Sequence, residues 1–308
     1  MQNHVIRPVV LRLAAVMIAV ALASLTAHSA DLPDSPDGTV KAVLQNLVDQ
    51  HPEVLWQALP PSYQKDITEV THAFANRMDQ EIWDAAFGLG LKAAGVLRDK
   101  KQLILESSVM EAAGDEQARI EGNWDAVVGV LQDVFSSDIS KLETLKTIDW
   151  EQFLKTTGTE IMSRASDIST AENAEEKSED LIAMLQQTTV ETVSGDGDVA
   201  TVRISAPGED PEEISLTLVE GRWVPTDMTE EWEEGVAEAK REIAEISDEE
   251  IAEGKAQAMA LLGMVDATLD QLAAVNSSEE FEAAMQNILG PFMGMGDEAL
   301  EIEVDSED

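Results

Sequence analysis

The sequence predicts an α+β fold, predominantly helical, with one small antiparallel β-meander packed against helices. Three observations predict it. Apolar residues recur at steps of three and four over most of residues 38–186, the period drops to two between Thr188 and Pro225, and the longer period returns after Pro225. The same changes of pattern divide the chain into an export signal (1–29), a linker (30–37), a helical region with the sheet (38–226) and acidic C-terminal helices (227–308).

Residues 1–30 have the plan of a secretory signal peptide: Arg7 and Arg12 form a basic start, Leu13 to Leu25 an apolar middle, and Thr26-Ala27-His28-Ser29-Ala30 a small-residue cleavage zone. Cleavage after Ser29 sets Ala27 at the −3 position and is preferred over cleavage after Ala30, which sets the bulkier His28 there. The apolar middle is short for a ~30 Å span, so the expectation is a processed protein in the periplasm or outside the cell, with no stable membrane span.

The linker Asp31–Asp37 is Pro-rich. Val40, Val43, Leu44, Leu47 and Val48 then step as a helix that His51-Pro52 breaks; Val54, Leu55, Trp56 and Leu59 form a short second helix. Pro60-Pro61 ends that one and opens a third, with Tyr63, Ile67, Val70, Phe74 and Met78 along one stripe. From Asp79 the pattern runs through Ile82, Trp83, Phe87, Leu91 and Leu97 to a boundary at Arg98–Lys101, and Gly88, Gly90, Ala93, Ala94 and Gly95 predict close helix approach. Further helices are expected over Trp124–Phe135, around Ile148–Ile161 and over Leu181–Leu185. Composition leaves Ser169–Asp180 open between a solvated loop and a polar helix start.

Ala200, Val202 and Ile204 alternate with Val199, Thr201 and Arg203, and Ile214, Leu216 and Leu218 with Ser215, Thr217 and Val219. Such alternation belongs to strands with one buried face. Gly195-Asp196-Gly197-Asp198 and Glu220-Gly221 supply the turns of a three- or four-stranded meander that needs helices on its apolar side. Beyond Pro225, Met228, Trp232, Val236, Ala239, Ile243 and Ile246 form one seam. Capping boxes at Ser247–Glu250 and Ser277–Glu280 open two more helices, the first with Met259, Leu262, Val265, Leu269 and Leu272 as its apolar seam.

With 61 Asp and Glu against 20 Lys and Arg, the formal charge is −41, which excludes a nucleic-acid binder that works through its net field. Residues 227–308 alone hold 24 acidic residues against 3 basic ones. A hydrophobic fraction of 44% is ordinary for a globular chain. Cysteine is absent, so disulfides, thiolate metal sites and Cys nucleophiles are excluded.

Ser35-Pro36-Asp37-Gly38-Thr39-Val40, with Pro52-Glu53-Val54-Leu55-Trp56 and Leu59-Pro60-Pro61-Ser62-Tyr63, resembles the opening helices of nuclear transport factor 2-like (cystatin-like α+β) domains of exported bacterial proteins. Asp196–Val202, with Leu218-Val219-Glu220-Gly221-Arg222-Trp223-Val224, resembles their closing strands; together the likeness covers residues 35–63 and 188–225. The resemblance implies a curved sheet wrapped by helices around a pocket, a scaffold that carries isomerases, hydrolases and binding modules alike. It implies no catalytic residue, and the helical stretch between the two matches and the C-terminal helices depart from it.

Only His51 and His72 remain after processing, and no H-E-x-x-H or G-x-G-x-x-G pattern occurs. The sequence therefore nominates no catalytic residue, no metal site and no cofactor. Tyr63, His72, Trp83, Asp84 and Trp223 are the candidates for lining a ligand pocket, with His72 as the potential base. Asp31, Asp34 and Asp37, and Asp196 with Asp198, offer oxygen ligands without EF-hand spacing; Met285, Met293 and Met295 offer thioethers without a nearby His. The expectation is an exported, non-enzymatic binding or interaction module with a protein partner or a small molecule. The alternatives are a small-molecule-binding protein or enzyme with a pocket between sheet and helices, and an acidic cation-responsive protein.

Overall fold

The computed structural model describes residues 32–168 and 186–293. The export signal expected over residues 1–29, Asp31, Ser169–Asp180, the helix expected over Leu181–Leu185 and Met295 lie outside the described residues.

The prolines punctuate the first helices as read. Helix α1 (Pro36–Val48) starts with a Pro in its first turn and is capped by Ser35, whose Oγ accepts the Gly38 amide at 3.2 Å. α2 (Glu53–Ala58) lies between Pro52 and Pro60, α3 (Pro61–Arg77) opens on Pro61, and α4 (Gln80–Asp99) is capped by Asp79, which accepts the Glu81 and Ile82 amides. Short helices α5 (Lys101–Leu105) and α6 (Ser108–Glu111) lead to α7 (Gln117–Ser136), which packs on α4.

At the α4–α7 crossing a Cβ on Gly90 would lie 2.3 Å from the Phe135 ring, so this glycine permits the close approach. Gly88 and Gly95, expected to do the same, face open space: they fall on other sides of α4. After α8 (Leu142–Leu145) and α9 (Trp150–Phe153) the chain passes through a π-helical turn, Leu154–Gly158, into α10 (Thr159–Ala165). The main core gathers Ala75, Leu142, Leu145, Ile148, Trp150, Phe153 and Leu154, with Trp56, Phe74 and Trp83 against it.

Strands β1 (Thr189–Asp196), β2 (Val199–Ser205), β3 (Glu212–Val219) and β4 (Arg222–Pro225) form an antiparallel meander in the order β1-β2-β3-β4. Register brings Val190, Val202 and Leu216 to one face, where Val40 and Leu44 of α1 cover them beside Trp223. The other face carries Arg203 opposite Glu213, ion-paired at 2.6 Å. One face dry and one wet is what the alternation requires. Glu220 and Gly221 both have positive φ (50° and 79°), the two-residue turn that matches strand twist.

From Thr226 to Met293 the described chain is helical again: α11 (Thr226–Glu245), α12 (Asp248–Ala274) and α13 (Ser278–Met293). α11 and α12 form a hairpin laid in parallel against the hairpin α3–α4. Tyr63 stacks on Trp232 with ring centroids 4.0 Å apart, and Lys240 reaches Asp66 and Glu69 at 3.1 and 2.8 Å. Arg77 meets Asp248 at 2.8 Å and donates to the Ile246 carbonyl. Along the second pair of helices, Lys255 clamps Asp79 and Glu81 at 3.0 and 2.7 Å, Lys92 joins Asp266 and Asp270, and Lys100 donates to the Val275 carbonyl. Two of the three basic residues of the C-terminal part thus serve this interface. The capping box at Ser247–Glu250 is complete; at the next helix start Glu280 reaches past Ser277 to the Asn276 amide. Among the described residues, no helix is long and apolar enough to cross a membrane.

Candidate functional site

The five residues nominated as a pocket lining occupy separate environments. Tyr63 is buried in its stack with Trp232, and burial together with the nearby Glu220 and Asp66 raises its phenol above the ordinary range. Trp83 belongs to the core: its indole N–H donates to the Ile139 carbonyl at 3.1 Å and its ring meets Phe74 and Phe87. Trp223 covers the sheet and donates to the Asp34 carbonyl at 2.7 Å. His72, on α3, has a shielded Nε2 with no hydrogen-bond partner. Asp84 is exposed on the rim of a wide, open hollow of about 690 Å³ shared by Asp79, Glu81, Lys255 and Met259. Trp83 and Asp84 are neighbours in sequence but point to different sides of α4, one toward the core and one to solvent. The space between α1 and the sheet is filled by Val40, Leu44, Val190, Val202, Leu216 and Trp223.

Two features were missed in the sequence. The first is a buried polar seam between α2 and α9. Glu53 is 1% exposed, and its Oε1 has no hydrogen-bond partner; Gln57 Oε1 and Trp150 Nε1 are shielded and unpartnered as well. Gln57, one turn after Glu53, donates to Glu151 at 2.8 Å, and Lys155, one turn after Glu151, is the cation facing Glu53. Burial is the main cause that pushes the Glu53 carboxyl from 4.5 up to about 7; Glu151 adds to the rise and Lys155 opposes it. A Glu just after a proline at a helix start ordinarily faces water, so nothing in the pattern marked this one. The seam runs against the π-helical turn, an arrangement that often accompanies functional sites.

The second is the outer face of α12. The run Ala256–Val265 contains no charged residue, so the helix is apolar on both sides, and only its inner side meets α4. Outside lie Leu261, Met264 and Val265, 51, 60 and 50% exposed. Val265, expected in the inner seam with Leu262 and Leu269, points outward: the stretch is apolar in too many directions for the period to show which side is covered. Exposed Ala256, Ala260, Gly263 and Ala267 line up at steps of four, three and four in a stripe that adjoins Met264, while Leu261 and Val265 lie further round the helix. Glu249 and Glu253, both exposed, bound the face at its N-terminal end.

Among the described residues, no group of three or more His, Asp or Glu side chains is placed to hold a metal ion. Asp37, one of the nominated oxygen donors, is held below its ordinary range chiefly by Lys41 and also bonds Thr192. No family model matches the chain, and no curated protein or solved structure matches it.

Proposed function

We propose that this chain is an exported, non-enzymatic interaction module that engages a protein partner through the outer face of α12. One observation carries the reading: a long helix anchored on one side by Lys92, Lys100 and Lys255 leaves Leu261, Met264 and Val265 about half exposed on the other. Completing the burial of such side chains is worth about 1 kcal/mol each, enough for a docking surface once shape and charge agree. The side-chain filling between α1 and the sheet supports the same reading over a ligand pocket there. Export rests on the basic and apolar composition of residues 1–30.

The absence of cysteine makes a direct test available. With Met264→Cys as the sole thiol, maleimide labelling is expected to be at least tenfold slower in intact cells than on the purified protein, while Glu279→Cys labels equally in both. Equal labelling at both positions removes the interaction reading. Fractionation should recover a chain that begins at Ala30 or Asp31 outside the cytoplasm, and a cytoplasmic chain that retains Met1 removes the export reading.

A further inference from the structure

Resting on that reading, we propose that the partner of the α12 face is an apolar helix flanked by basic residues. The shape argument comes from the small side chains. Ala256, Ala260, Gly263 and Ala267 make a shallow lane flanked by Met264, with Leu261 beyond it, and a lane of this kind admits a second helix at short interaxial distance. Gly263 strengthens it. A Cβ at this position would meet nothing within 4 Å, and its φ is not positive, so among the described residues no contact or backbone conformation requires glycine in the middle of this 27-residue helix. Glycine there weakens the helix relative to alanine, and the room it leaves faces outward.

The charge argument selects the flanks. Glu249 and Glu253 stand exposed at one end of the lane with no ion-pair partner among the described residues, and Asp270, 67% exposed, lies near the other, where it and Asp266 share the single cation Lys92 and leave a net negative charge. Of the three basic side chains in residues 227–308, Lys240 and Lys255 are held by Asp66, Glu69, Asp79 and Glu81, and Arg241 pairs with Glu238 on its own helix. A second copy of the chain in a two-fold arrangement would set the glutamate end of one α12 against the Asp270 end of the other. The chain's own C-terminal residues 294–308, which contain Asp297, Glu298, Glu301, Glu303, Asp305, Glu307 and Asp308, would bring more negative charge to the same place. A helix with Lys or Arg at its ends meets both acidic ends favourably, and the overall charge of −41 draws it in.

The test uses the purified protein and three fluorescent helical peptides with one Leu/Ala face, differing only in Lys/Arg, Gln or Glu ends, titrated by anisotropy at 150 mM NaCl. The basic-ended peptide is expected to bind at least tenfold tighter than the other two. Gly263→Leu, which fills the lane without changing charge, and the double variant Leu261→Ser with Met264→Ser are each expected to weaken it at least tenfold while circular dichroism and melting show the fold retained. Binding of the basic peptide that ignores both variants is diffuse attraction to an acidic surface and overturns the proposal. Equal binding of neutral and basic peptides, or no binding of any, overturns the partner class; the in-cell protection of Met264→Cys then decides separately whether the interaction reading stands. Self-association by sedimentation that Gly263→Leu abolishes identifies a second copy as the occupant and also overturns it.

Discussion

Glu53 shows how one side chain can set the pH response of a fold. Its folded-state pKa is raised from 4.5 to about 7, so its neutral form is favoured by folding. The contribution is fully present below pH ~4.5 and is lost as pH rises through about 7, with a magnitude on the order of 3 kcal/mol. Glu53→Gln keeps the shape and removes the charge. It is expected to raise the melting temperature relative to the parent at pH 8 and to leave it nearly unchanged at pH 4.5; equal effects at both pH values would remove the buried carboxyl as the cause. Trp150 contrasts with Trp83, Trp124, Trp223 and Trp232, whose indole N–H groups all donate to oxygens of the protein. Its shielded, unpartnered N–H is a further local cost of about 1–3 kcal/mol. Glu220 works the other way: held at positive φ in the β3–β4 turn, it accepts the Ser62 amide at 2.8 Å and so caps α3 from 158 positions further along the chain. Glu220→Ala should lower stability by about 1 kcal/mol in urea unfolding, since it loses the cap and keeps the strained backbone. None of these roles was readable in the sequence, because each depends on which distant element comes to lie alongside.

At the scale of elements much was legible. The proline punctuation of α1 to α3, the period-two alternation of the sheet, the outer turn at Glu220-Gly221 and the inward seam of α11 all follow from local pattern, and the structure places them as read. What local pattern left open was pairing. Gly88, Gly90 and Gly95 look alike in sequence, and only Gly90 meets a ring. Gly90→Ala is therefore expected to destabilise by about 1–3 kcal/mol, as Phe135 is displaced. Gly263→Ala is expected to stabilise by about 0.5–1 kcal/mol, since the new methyl enters open space. Chemical denaturation of the two single variants checks both, and a loss for Gly263→Ala would mean that the outer face of α12 is covered within the chain itself. Ile148–Ile161 was read as one helix, whereas α9 and α10 are joined by a π-helical turn; a single inserted residue leaves hydrophobic periodicity too little changed to reveal it.

At the largest scale, the described residues join two helical hairpins clipped together by ions to the core of α7 to α10 and a one-sided sheet. Hydrogen bonds from Lys255 and Lys240 hold Asp79 and Glu69 below their ordinary carboxylate range. The stability these pairs supply is present above pH ~4 and lost as the carboxylates protonate below it. Glu53 favours low pH and the clips oppose very low pH, while partial neutralisation of the −41 charge relieves repulsion. Stability should therefore peak on the acid side, between about pH 4.5 and 6, rather than at neutrality; a thermal-melt series from pH 3 to 9 checks it, and a maximum at pH 7.5 or above contradicts it. At pH 7.5, NaCl is expected to raise the melting temperature, because screening relieves a large net repulsion and weakens only a few pairs.

The hairpin clips also govern how the chain reaches this state. Tyr63 pairs with Trp232, Lys92 with Asp266 and Lys100 with Val275, so the contacts that close the molecule join residues some 170 positions apart. A mostly helical protein ordinarily folds fast because its contacts are local, and here the decisive ones are not. The α3–α4 hairpin emerges long before its mate, with the Tyr63 ring and the α12-facing side of α4 bare until nearly the last helix is delivered. A slow final phase after rapid helix formation follows, and during that interval the half-built surface depends on the chain's negative charge to keep it from its neighbours.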